Sequence, residues 1–215
     1  MGNAYKKNSS PLAAVASGVL TLLAEMVLII LILTIAGINI FEEAKQFVWE
    51  SYQTMSGLFM QEIPHQLISE LAYAASSMIP TTMIGYALFA AAITHWLGRL
   101  LLRPHVELPA FPPVREWMLP KSFVWYYAIA LLMNFFFRFE QGSFIYLVLV
   151  NLIPMLAFAF AVQAIAFLFY LTHVKKWNKA LPVIGILTFP VISPYLSILG
   201  VFDVAFGLRK GFENK

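Results

Sequence analysis

Apolar residues run almost unbroken from Pro11 to Gly37, and the single charge among these 27 residues is Glu25. A helix of this length crosses a hydrocarbon core of about 30 Å. Four further apolar segments follow, at about 71–102, 122–137, 143–171 and 181–201. The second contains Pro80, the fourth contains Asn151, Pro154 and Gln163, and the fifth is interrupted by Pro190 and Pro194. None alternates with the ten-residue rhythm of a barrel strand. A lipid-facing backbone must satisfy its hydrogen bonds within its own segment, so all five are expected to be helices. Between the first two runs, Phe41, Ala44, Val48, Tyr52, Met55 and Phe59 recur at three- and four-residue steps among acidic and amide residues. That spacing predicts an amphipathic helix over about 41–59, lying along the membrane surface or capping the bundle. The expected fold class is an all-α integral membrane protein. One transmembrane domain over residues 1–215 would hold about five spanning helices and one interfacial helix.

Composition agrees. Sixty per cent of the chain is apolar and 12% is charged, against about 25% charged in soluble domains. The absence of cysteine excludes disulfides, thiolate metal sites and cysteine nucleophiles. The stretch before the first run is polar and the run itself is too long for a cleaved leader, so no signal peptide is expected. The net charge of +3 gathers at span ends, where it orients the chain rather than binding nucleic acid. Lys6, Lys7, Arg99, Arg103, Arg115, Lys121, Lys175, Lys176 and Lys179 fall on one side, which places the N-terminus and loops 103–121 and 172–180 in the cytoplasm. A full fifth span would leave Arg209, Lys210 and Lys215 outside; the alternative is that the proline-broken segment turns back. The full span is preferred.

Glu25 leads the candidate binding residues. A carboxylate at mid-bilayer costs on the order of 3 kcal/mol, so it needs a proton, a partner or a water-filled cavity. Asn134, Asn151 and Gln163 are the other polar groups deep in apolar runs, and such groups usually fix helix register. Ala14 with Gly18, and Ala87 with Ala91, are small-residue pairs that permit close helix approach. Asp203 and Arg209 stand near the last helix end as a pair which, if exposed, contributes little. His65, His95, His105 and His173 are isolated, without a second ligand at helical spacing, so no metal site is expected. No phosphate loop or dinucleotide fingerprint occurs, no nucleophile has a base near it in sequence, and the chain is read as a non-enzyme without cofactor.

Residues 103–121 carry five prolines, which hold the loop extended and make it a candidate docking surface. Here the chain resembles a known family. Phe111-Pro112-Pro113, Arg115-Glu116-Trp117, Pro120-Lys121 and Trp125-Tyr126-Tyr127 match the YybS-like family of bacterial multi-pass membrane proteins. Asn151-Leu152 with Pro154, His173 with Lys175 and Trp177, Lys179 to Pro182, and Leu199-Gly200 with Asp203 and Leu208 to Lys210 continue the likeness. The resemblance implies further transmembrane helices before the Tyr5-Lys6-Lys7 stretch, so the chain is expected to begin inside the family pattern. It also implies a distant relation to the substrate-binding subunits of energy-coupling-factor transporters, an analogy of fold. Two functions are therefore open. One is a small-molecule-binding or transport-related subunit using Glu25, Asn134, Asn151 and Gln163. The other is a scaffold that docks a membrane-protein partner through Phe111, Pro112, Pro113, Arg115, Glu116 and Trp117. In both, the lipid bilayer is the constant partner.

Overall fold

The structure, a computed structural model, describes residues 10–59, 64–102, 110–178 and 180–213, and among them every regular element is helical. The chain divides into two compact units, Met1–Phe111 and Pro112–Lys215.

The first unit holds four helices: α1 (Pro11–Ile35), α2 (Ile40–Phe59), α3 (His65–Ser77) and α4 (Ile79–Leu102). Ser10 caps α1 by accepting from the Ala13 amide at 3.3 Å, and Pro11 takes the first helical position, where its missing N–H costs nothing. Helix α1 packs on α4, and Ala14, Gly18, Ala87 and Ala91 are all buried, as their small-residue spacing predicts. Helix α2 packs on α3 with Ala44, Val48 and Tyr52 half-buried, so the amphipathic face meets a neighbouring helix. Trp49 stacks on His65 at 5.7 Å, and Lys45 sits 5.6 Å from the centre of the Tyr73 ring. The second predicted span is in fact two helices. The chain breaks at Met78, so that Pro80 falls in the first turn of α4, where a proline is tolerated.

The second unit opens with a 3₁₀ turn, Val114–Glu116, within the proline-rich segment. Then come α5 (Ser122–Phe136), α6 (Phe144–Val174), α7 (Ala180–Leu187), α8 (Phe189–Phe206) and α9 (Leu208–Glu213). Its main contact is α6 on α8. Gly200 allows it: a Cβ there would overlap the Phe160 carbonyl across the interface. Ala161, Ala164 and Ile165 pack against Leu196, while Leu156, Phe160 and Val204 form a second cluster flanked by Phe123 and Tyr127.

Among the described residues four helices are long and apolar enough to cross a membrane: α1, α4, α6 and α8. The third predicted span, α5, has 15 residues and rises about 22 Å, short of the hydrocarbon thickness. The fifth predicted segment divides at Thr188, ahead of Pro190, and α8 alone supplies the long helix.

Candidate functional site

The polar feature of the second unit is assembled from α6, α8, α9 and the proline-rich segment. Gly207 ends α8 in the left-handed conformation (φ +60°), the usual glycine stop for a helix. On a continuous helix, residues 203 and 209 would lie about 120° apart around the axis. The turn at Gly207 instead returns the Arg209 side chain to Asp203. Arg209 Nε donates to Asp203 Oδ2 at 3.1 Å, and Nη2 lies 3.0 Å from the same oxygen. Gln163 Nε2, from α6, donates to that oxygen at 2.7 Å. The Asp203 side chain is wholly buried and that of Arg209 is 10% exposed. Asp203 Oδ1 is buried with no hydrogen-bond partner among the described residues.

This cluster also grips the segment in front of α5. Arg209 Nη1 donates to the Arg115 carbonyl at 2.7 Å, and Gln163 Oε1 accepts from the Leu119 amide at 3.0 Å. Gln163 Nε2 also lies 3.4 Å from the Trp117 carbonyl. Tyr170 completes the arrangement: its hydroxyl donates to the Arg209 carbonyl at 3.1 Å, and the guanidinium sits 5.3 Å from its ring centre. Trp117 Nε1 donates to the Pro112 carbonyl at 2.9 Å and stiffens the segment from within. The segment is thus bound to the bundle through its backbone, at the Arg115 carbonyl and the Leu119 amide. Chemically the cluster is a lock: a charge pair and an amide that fix the proline-rich segment with its 3₁₀ turn.

Beside the lock lies a cleft of about 660 Å³. Its polar lining is Arg115, Thr172, His173 and Lys176, and Trp177 borders it. Phe169, Pro182 and Val183 supply apolar walls. Lys176 holds a left-handed backbone (φ +52°), which for a residue with a side chain costs about 1–2 kcal/mol. Adjacent Lys175 faces elsewhere, 5.4 Å from the Phe212 ring centre. A second groove, about 320 Å³ between α5 and α6, is lined by apolar residues alone.

The candidate binding residues named from the sequence are divided between the two units. Glu25 is exposed on α1 in the first unit. Asn134 is exposed on α5, and Asn151 donates to the Leu147 carbonyl of its own helix at 2.8 Å. Only Gln163 stands in the polar cluster. Of the candidate docking residues, Phe111 meets His95 edge-on at 4.9 Å within the first unit. Pro112, Pro113 and Glu116 are exposed, Arg115 is half-buried, and Trp117 is 37% exposed. The pairing of Asp203 with Arg209 that the sequence suggests is present, and both residues are buried, because Gly207 folds α9 back over the end of α8. The signals in the sequence were an acid in an apolar helix and a glycine stop four residues on.

Comparison with known proteins agrees with the membrane architecture. Over 222 aligned residues the chain is 25% identical to the uncharacterised protein YybS of Bacillus subtilis (strain 168), covering 97% of this chain and 71% of that protein. No solved structure matches it. Residues 1–204 match the family described as predicted membrane protein (DUF2232), and the chain belongs to that family.

Proposed function

We propose that this protein is a multi-pass subunit of the bacterial cell membrane that binds a small molecule, of the transport-related kind and with no catalytic step of its own. The cleft beside the lock carries this reading. Its volume lies within the roughly 300–1,000 Å³ of small-molecule sites, and it combines apolar walls with a few polar groups. The lock supports it further. Burying an ion pair gives little net stability over apolar packing, so its worth here is in holding Arg115 and its neighbours in one position. The N-terminus and loops 103–121 and 172–180 are assigned to the cytoplasm by their basic residues.

The test is to denature protein extracted gently from its own membrane and to analyse what is released. Wild type is expected to yield a stoichiometric solute, and Val183→Trp, which fills the cleft from a half-exposed wall position, is expected to yield none. Release of nothing from either protein would sink the reading.

A scaffold role is the second reading. It is favoured by the exposed Trp117 and Met118 side chains on a segment whose backbone is held rigid. Substituting both by Ser should then abolish capture of a defined membrane partner while leaving the released solute unchanged.

A further inference from the structure

We infer that the cleft takes the phosphate-bearing headgroup of an anionic membrane lipid, a conclusion that rests on the binding reading above and names its ligand class. The first observation is charge. Arg115, Lys176 and His173 line the cleft, and among the described residues no acidic side chain lines it. Arg115 leans only loosely on Glu116, with Nε 3.8 Å from its carboxylate, so its guanidinium is not saturated by that neighbour. The second observation is the apolar part of the lining. Phe169, Pro182 and Val183 are unsuited to a small hydrophilic anion and suit the glycerol and first methylenes of an amphiphile. Trp177, 52% exposed at the rim, is a side chain at home where headgroups meet water.

Position is the third observation. Helix α6 has 31 residues and is about 46 Å long, roughly 16 Å more than a hydrocarbon core. The cleft is built on its last turns and the residues beyond, at Phe169, Thr172, His173, Lys176 and Trp177. Lys175 and Lys176, which directly follow α6, set that end of the helix at headgroup level. Basic pockets between helices at this level bind anionic headgroups. Backbone geometry is the fourth. Lys175 and Lys176 are adjacent, yet one is spent on the Phe212 ring while the other, through its left-handed backbone, lines the cleft. Backbone strain of this kind is retained where the surroundings use it.

Lys176→Gly makes a clean variant, because glycine adopts the left-handed backbone without strain and removes only the cation. Arg115→Gln likewise keeps the carbonyl that Arg209 holds. The experiment is native mass spectrometry of the full chain released from its own membrane, comparing wild type, Lys176→Gly, Arg115→Gln and the control Lys175→Gln. Circular dichroism would confirm equal helix content. An anionic phospholipid adduct is expected on wild type and on Lys175→Gln, with occupancy falling about fivefold for each cleft cation removed. Inorganic phosphate, a zwitterionic lipid or another solute that depends on Lys176 would overturn the anionic-lipid assignment and leave the binding reading standing. No adduct, or one indifferent to Lys176 and Arg115, would overturn both.

Discussion

Removing Asp203 should cost far more than removing an ordinary surface acid. Its carboxylate is fully buried, accepts from Gln163 and Arg209, and is 3.0 Å from Arg209 Nη2. At an effective dielectric near 20, two unit charges 3 Å apart attract by about 5.5 kcal/mol. Desolvating the two ions consumes several kcal/mol each, so the pair is worth little over an apolar substitute, yet either ion left alone is severely penalised. Asp203→Ala strands the guanidinium and the Gln163 amide, and about 3–5 kcal/mol of destabilisation is expected. Arg209→Met should cost a similar amount, since it strands the buried carboxylate. The double variant leaves neither ion, so its cost should fall at least 2 kcal/mol short of the sum of the singles. The assay is equilibrium unfolding in mixed detergent and denaturant micelles, followed by circular dichroism, around the full double-mutant cycle. A coupling below about 0.5 kcal/mol would refute the reasoning, for it is the value of a solvent-exposed pair.

Further outcomes can be checked in the same unfolding assay, one of them with limited proteolysis beside it. Gly200→Ala should destabilise by about 3 kcal/mol or more because the added methyl meets the Phe160 backbone, whereas Gly185→Ala meets the flexible end of Ile165 at 2.9 Å and should cost about 1 kcal/mol. Gln163→Leu strands the Leu119 amide and removes a donor from Asp203; a loss of about 2–4 kcal/mol is expected, with new proteolytic cleavage between Pro112 and Pro120 under limited digestion. Lys176→Gly exchanges relief of left-handed strain for a more flexible unfolded chain, so unfolding free energy should stay equal or rise by less than about 1 kcal/mol. Glu25→Gln, at an exposed position, should shift unfolding by no more than about 0.5 kcal/mol, and a larger loss would show that the carboxylate is held by contacts of its own.

The membrane class, the helical content and several local details are legible in the amino-acid pattern. The lone-charge run from Pro11, the small pairs Ala14–Gly18 and Ala87–Ala91, and the amphipathic stretch after Phe41 all fall where pattern places them, because length, burial and periodicity are local properties. Helix breaks were less legible. Pro80 and Pro190 fall inside apolar runs of the sequence, yet each sits in the first turn of a new helix, and which side of a proline the chain breaks depends on what the flanking residues pack against. The polar lock was decided by tertiary structure alone. Gln163, Asp203 and Arg209 lie as much as 46 residues apart in sequence, and the carbonyl of Arg115 lies 94 residues before its donor. They meet because Gly200 lets α8 close on α6, and because the left-handed Gly207 turns Arg209 inward. An ion pair is exposed or buried according to what covers it, and what covers this one comes from elements remote in the chain.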